Sequence, residues 1–310
     1  MISHERDAIG DEQNMLLNVK QITIVGLGLI GGSLGLAIKK RVGSSITVIG
    51  VDGNLDTLKK AIEVGAVDCS TKNLMEAVKD ADVIFLCTPV LQIIPSVEKM
   101  LPYLKQGAIL TDVGSTKSYL ATRLSTLLPV GVHYVSGHPM TGREQSGITA
   151  AEVNLFQDKW YILVPEVSTC PKAVETVRQI LYLTGARLTN MDLVAHDQCA
   201  AVISHVPHVA AAALVNLLAM YPDLEENFKL VGGGFRDTTR IASSNADMWA
   251  DVCLSNAEPI TNSLLQLKSL LDEVIQSIEQ GDRQAIHHFF KRAKVRRDAL
   301  IEKSDSHTIR

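Results

Sequence analysis

The sequence predicts an α/β protein, a doubly wound parallel sheet followed by an all-helical region. Three observations carry this expectation. Short β-branched runs alternate with segments of helical period from Lys20 to about Asn190. A glycine-rich turn separates the first run from the first helical segment, and strand-like runs cease after about Met191.

The first strand is expected at Lys20–Val25 (KQITIV), and GLGLIGGSLGLAIKKR turns from it into a helix. Ser45–Val51 is a second strand ending at Asp52, and Leu55–Val64 has the period of a helix. Asp82–Cys87 and Ala108–Val113 are further strands, with the helical VLQIIPSVEKMLPYL between them. Shorter strands fit His133–Ser136, Trp160–Val164 and Ala186–Asn190. Beyond these, long helical periods occupy Asp192–Ala219, Asp247–Ser255, Pro259–Gln280 and Asp282–Glu302. The expected organisation is a loose arm over residues 1–18, an α/β domain over 19–190 and a helical domain over 191–310. That length leaves room for two domains and not for a further regulatory one.

A hydrophobic content of 46% with 21% charged residues describes a folded chain with a sizeable core. The net charge of −4 supplies no pull toward nucleic acid or an anionic membrane. Cys69, Cys87, Cys170, Cys199 and Cys253 are scattered and form no C-x-x-C pair, which argues against a disulfide framework or a cysteine zinc site. The polar first residues contain no apolar run of the secretory type, so a cytoplasmic protein is expected. Gln198–Pro222 lacks any charged residue and is long enough to span a bilayer. Its His205, Pro207, His208 and Asn216, and its many alanines, fit a helix buried in a bundle or subunit interface better than a membrane span.

Gly26-Leu-Gly28-Leu29-Ile30-Gly31 matches G-x-G-x-x-G, and its context gives the match weight. It follows a strand, opens a helix, and is followed at the end of the next strand by Asp52. These features predict a Rossmann-type site: Gly26 for the tight turn, Gly28 for backbone approach to a pyrophosphate, and Gly31 for close helix–strand packing. The first-turn amides of Leu29 and Ile30 add donors for an anion. Asp52 would bind the adenosine ribose diol and repel a 2′-phosphate, favouring NAD over NADP. Thr88 and Pro89, just after a strand, fall at the same carboxyl edge of the sheet.

Asp112-Val-Gly-Ser115-Thr-Lys117 also follows a strand, with a Ser115 hydroxyl able to donate and accept; Lys117 is either a helix-start residue or a ligand. His138 lies between Gly137 and Pro139 at a strand end, in GHPMTGREQSG. Histidine is the side chain whose ordinary pKa lies nearest neutrality, which suits proton transfer. His205 and His208 lie one helical turn apart and should face one side, but no acid or cysteine motif accompanies them, so no metal site is expected.

In their order, GLGLIGGS, CTP, DVGSTK, GHPMTGREQSG, SHVPH and GFRDTTRIA resemble the prephenate/arogenate dehydrogenase (TyrA) family of tyrosine biosynthesis. The resemblance runs from residue 26 to residue 242. It implies an NAD-dependent oxidative decarboxylation of prephenate to 4-hydroxyphenylpyruvate, with arogenate to tyrosine as the alternative. It implies that His138 accepts the substrate's hydroxyl proton, with Ser115 sharing that hydroxyl or orienting His138. Arg240, rather than Arg236, aligns with the family's carboxylate-binding arginine. His208, and with it His205, would stand beside the substrate side chain. Trp249 would lie near the pocket, from this chain or a partner subunit, or pack in the core; Glu144 would gate the entrance or pair with Arg143. A homodimer through the helical domain is implied, with the apolar helix as interface. His208, as a neutral or positive partner for a keto acid, tilts the expectation toward prephenate; Asp237 could serve an arogenate ammonium. A β-hydroxyacid dehydrogenase would carry a catalytic lysine where this chain has SHVPH, and a non-catalytic NAD sensor would not need His138, Ser115 and Arg240 together.

Overall fold

A computed structural model describes residues 19–143, 145–222 and 228–308. The expected arm, residues 1–18, and Glu144 lie outside the described residues. The first strands are β1 (Gln21–Val25), β2 (Thr47–Val51) and β3 (Cys69–Thr71), followed by β4 (Val83–Leu86), β5 (Ile109–Asp112) and β6 (His133–Val135). They form one sheet in the order β3-β2-β1-β4-β5-β6, every neighbouring pair parallel. This is the doubly wound dinucleotide order, whose direction of winding reverses between β1 and β4.

Side-chain alternation builds a core on each face. Ile22 and Ile24 of β1, with Val83 and Phe85 of β4, enter one cluster; Val25, Ile84 and Leu86 enter the other. The connecting helices are α1 (Leu29–Val42), α2 (Leu55–Glu63), α3 (Leu74–Val78), α4 (Val90–Met100) and α5 (Ser118–Leu127). Asn54 caps α2 by accepting from the amides of Asp56 and Thr57, and Asn73 caps α3 through Glu76.

A second sheet joins β7 (Gly137–Pro139), β8 (Trp160–Leu163) and β9 (Arg187–Asn190), with α6 (Pro171–Tyr182) between the last two. β7 runs antiparallel to β8, and β8 is parallel to β9. Sequence reasoning misses β3 and β7 for different reasons. β3 is three residues at a sheet edge with no apolar pattern. β7 consists of Gly, His and Pro, and the proline is tolerated because the strand sits at an edge.

One long helix follows, α7 (Leu193–Leu218), capped by Asp192, whose side chain accepts from the amides of Val194 and Ala195. Residues Ala201–His205 form a π-turn inside it. In a regular helix the Pro207 ring would clash with the carbonyl of Ile203, and the wider turn absorbs this. By length and composition α7 could cross a membrane, and little of its apolar window is buried within this chain. Then come α8 (Gly233–Thr239), a 3₁₀ turn (Arg240–Ser243) and α9 (Ala246–Ser255), then α10 (Ala257–Glu279) and α11 (Arg283–Thr308).

The chain divides into two compact units, one ending at Ala257 and one beginning at Glu258. The change from strands to helices near residue 190 therefore falls inside the first unit. There α9 packs on α4, α7 on α5, and the Arg240–Ser243 turn on α7.

Candidate active site

The nucleotide cradle lies where the sheet order reverses. Gly26 has a φ of +95°, and a Cβ on it would lie 2.8 Å from the Cys87 carbonyl. A Cβ on Gly31 would lie 1.9 Å from the Gly26 oxygen, so α1 packs against its own turn with no room for a side chain. Over Gly28 the space is open, and no side chain caps the start of α1. The amides of Leu29, Ile30 and Gly31 thus stand as donors at a helix N-terminus. Asp52 Oδ2 accepts from the Leu27 amide at 3.0 Å, tying the loop to the end of β2, and Oδ1 accepts from Asn54 N at 2.9 Å. The Thr88 hydroxyl, after β4, is buried without a hydrogen-bond partner. Open space, free amides and an orphaned hydroxyl at one sheet edge suit a dinucleotide.

His138 sits in β7 opposite Ile162 of β8, and it is buried. Beneath it Asp112 and Lys117 form an ion pair between fully buried side chains. This pair holds the Gly137 peptide from both sides. Asp112 Oδ1 accepts from Gly137 N at 3.2 Å, and Lys117 Nζ donates to Gly137 O at 2.7 Å. Asp112 also accepts from the Gly114 amide and the Tyr134 hydroxyl. Burial pulls the Lys117 ammonium below its ordinary pKa, against the opposing pull of Asp112 and Asp197.

A second set of contacts reaches the imidazole. His138 Nδ1 lies 2.9 Å from His196 Nε2, and His196 Nδ1 lies 2.8 Å from Asp197 Oδ1. Asp197 accepts from the amides of Lys117 at 2.8 Å and Ser118 at 2.7 Å. His138 is held well below the usual imidazole range, first by burial and then by Lys117, His196 and His205, with Asp197 pulling the other way. The ring is therefore neutral near pH 7 and can take a proton.

On α7, His208 stacks on Trp249 of α9, with ring centroids 3.9 Å apart, and His205 meets the same indole edge-on at 5.9 Å. Both histidines thus share one side of the helix, and both meet Trp249 of the same chain. His205 is fully buried and fixed by Asn256 Nδ2 at 3.1 Å; burial lowers its pKa to about 4. His208 Nδ1 lies 2.8 Å from Ser204 O, so that nitrogen carries the hydrogen and Nε2 offers a lone pair when the ring is neutral. Burial also lowers the His208 pKa, against that bond. Arg240 is exposed at the start of the turn packed on α7.

Residues 34–190 match the prephenate dehydrogenase nucleotide-binding domain family, and residues 193–292 match the prephenate dehydrogenase dimerisation domain family. The chain belongs to the prephenate dehydrogenase family. It is 36% identical over 284 residues to a prephenate dehydrogenase of Bacillus subtilis, covering 90% of this chain and 76% of that protein. Its structure is similar to Aquifex aeolicus prephenate dehydrogenase in complex with hydroxyphenyl propionate and NAD+, with TM-score 0.85 and 30% identity over 92% of this chain and 99% of that one. It is also similar to Synechocystis arogenate dehydrogenase, with TM-score 0.76 and 34% identity over 90% of this chain and 99% of that one.

Within this prephenate dehydrogenase fold, Gly26, Gly28, Gly31, Asp52 and Thr88 gather at one sheet edge, and Pro89 opens α4 beside Thr88. Ser115 is half-buried in the loop after β5, and the side chain that contacts His138 Nδ1 is His196. Sequence reasoning did not single out His196 or Asp197, and it quoted Asp112 in its motif without a role. Its available signal was AHD at the start of a helix, too short to read alone. Among the described residues no group of three or more His, Cys, Asp or Glu is arranged to hold a metal.

Proposed function

We propose that this chain oxidises prephenate with NAD, releasing carbon dioxide and 4-hydroxyphenylpyruvate as a step of tyrosine biosynthesis. The observation that carries the reading is His138, a buried, neutral imidazole with Nδ1 engaged by His196 and no hydrogen bond at Nε2 among the described residues, in a chain similar to prephenate dehydrogenases. NAD, when bound, supplies the ring carbon that receives the hydride. Gly26–Gly31, Asp52 and Thr88 would hold it, and Asp52 disfavours a 2′-phosphate.

His138 Nε2 takes the hydroxyl proton as the carbon beneath it is oxidised. The ring carboxylate then leaves as carbon dioxide, and its bonding pair completes the aromatic ring and lands on the oxygen. That oxygen recovers the proton from Nε2, so none is released overall. Ser115 is assigned to share the hydroxyl, and Arg240 to grip a substrate carboxylate through two N–H bonds. His208, with Trp249 behind it, faces the side chain; His205 supports that pair from the core. Glu144 is retained as a residue of the entrance.

Residues 19–190 would carry the cofactor, and residues 191–310 the substrate contacts and a homodimer interface. Val194, Val202, Ile203, Leu214 and Leu217 of α7 are exposed and apolar, a face that a second copy would cover. A monomeric mass by light scattering at micromolar concentration would overturn the dimer. The protein is assigned to the cytoplasm, in keeping with its five free thiols.

One observation favours a second reading. The lone pair of neutral His208 suits an ammonium donor better than a keto oxygen, which would make arogenate a substrate. Steady-state NADH formation with each compound, using NAD and then NADP, decides. Higher kcat/KM for prephenate with NAD is expected. Higher kcat/KM for arogenate transfers the assignment, and no turnover of either overturns both.

A further inference from the structure

Asp197 is almost entirely buried, and it accepts from two backbone amides as well as facing His196. Burial alone would raise its pKa, but the His196 bond and those amides bring it below the ordinary value, so it is ionised. An ionised carboxylate can only accept. The hydrogen between Asp197 and His196 therefore sits on His196 Nδ1. An imidazole with its hydrogen on Nδ1 bears its lone pair on Nε2, and that nitrogen accepts from its neighbour, His138 Nδ1. A neutral His138 with hydrogen on Nδ1 presents its own lone pair at Nε2.

We propose that His196 is a positioning residue that, backed by Asp197, fixes the tautomer of His138 so that Nε2 is the base. This rests on the assignment of His138 as the proton acceptor. The geometry gives each partner one task. Asp197 is anchored by the backbone of Lys117 and Ser118 at the start of α5. His196 meets His138 at an interplanar angle of 68° with ring centroids 5.1 Å apart, an edge-on contact that fixes ring direction as well as hydrogen position. Asn256 Nδ2 donates to the Asp197 carbonyl at 2.9 Å, holding this stretch of α7 against the end of α9. The Lys117–Asp112 pair, which clamps Gly137, fixes the backbone of β7 just before His138. Backbone and ring are thus set by separate contacts that meet in Lys117. When Nε2 accepts the hydroxyl proton, the new imidazolium keeps its Nδ1–H toward His196, and the Asp197 charge lies beyond it. This follows the logic of a carboxylate-oriented histidine base with one imidazole interposed.

Two variants and one spectrum test the inference. His196→Leu removes the acceptor, whereas His196→Gln can place an amide oxygen near the former Nε2. Relative to wild type, His196→Leu is expected to lose on the order of 10²–10³ in kcat, the scale of a general base in the wrong tautomer. KM for prephenate should stay within about threefold and NAD affinity should be unchanged, because neither ligand touches His196 in this account. His196→Gln should recover at least about tenfold of that loss, a rescue that mere structural damage would not give. Nitrogen-15 spectra of histidine-labelled wild type, with His138 assigned by its absence from His138→Asn, should show hydrogen on Nδ1. In His196→Leu the signal should move toward the Nε2–H form.

A wild-type His138 protonated on Nε2 overturns the proposal, as does a folded His196→Leu with kcat within threefold of wild type. The spectrum is read without substrate. A wild type inactive on prephenate would therefore strike the functional assignment and leave the tautomer question separately answered.

Discussion

Replacing Lys117 by methionine should cost this protein a large part of its stability. Methionine keeps most of the lysine's volume, so the cavity contribution is small. What remains is the Asp112 carboxylate, fully buried and without its cation. Breaking a buried pair from one side typically costs about 3–5 kcal/mol. The Gly137 carbonyl also loses its donor, for about 1–3 kcal/mol more. Against this, Asp112 keeps bonds from Gly114, Gly137 and Tyr134, which bring the total toward about 3–5 kcal/mol. Domains are commonly stable by about 5–15 kcal/mol, so the shift should be plain in urea titrations, seen as a lower midpoint at an unchanged slope. The double variant Asp112→Asn with Lys117→Met leaves no unpaired charge and should regain at least about 1 kcal/mol over the single variant. A loss below about 1 kcal/mol for Lys117→Met, or no regain in the double, would refute the view that the pair is a buried clamp on Gly137.

Gly31→Ala would force a methyl group to within 1.9 Å of the Gly26 oxygen, so NAD affinity measured by calorimetry should fall at least about tenfold, and unchanged affinity would contradict the cradle. Arg240→Gln should raise KM for prephenate by about 30-fold or more, the equivalent of roughly 2 kcal/mol, with a smaller change in kcat; an unchanged KM would move the clamp to Arg236. Because His138 sits well below the ordinary value of 6.5, kcat/KM should hold as pH falls through 6.5 and decline only below it, whereas a midpoint at or above 6.5 contradicts the neutral-base assignment. The same depression affects stability. Folded His205 titrates near 4 and unfolded histidine near 6.5, so the unfolded chain binds more protons between those values, and urea midpoints should drop as pH falls through that window.

The parts of the molecule legible in its sequence are those with a period or a fixed spacing. The strand at Val83–Leu86 is apolar on both faces because both faces are covered, and Gln21–Val25 reads through its β-branched Ile22, Thr23, Ile24 and Val25. The glycine turn and Asp52 are local to one strand–helix–strand unit, so spacing alone brings them together. His138 stands out through its glycine and proline neighbours, although those same residues conceal that it lies in a strand. His196 and Asp197 were not legible, because their meaning depends on contacts with residues 58 and 80 positions away. Lys117 is ambiguous in sequence for the same reason. Its amine pairs with Asp112, five residues earlier, but its purpose appears only with Gly137, twenty residues later. The packing of α9 on α4 is likewise nonlocal, and it draws the helices up to Ala257 into the unit of the sheet although secondary structure changes near residue 190.

The central claim is that His138 accepts the substrate's hydroxyl proton during prephenate oxidation. Steady-state NADH formation from prephenate and NAD by wild type and His138→Asn, with NAD affinity measured alongside, tests it most directly. The account predicts robust wild-type turnover, a kcat lowered by about 10²–10⁴ in the variant, and NAD affinity within about twofold. A variant turning over prephenate at near the wild-type rate would contradict it.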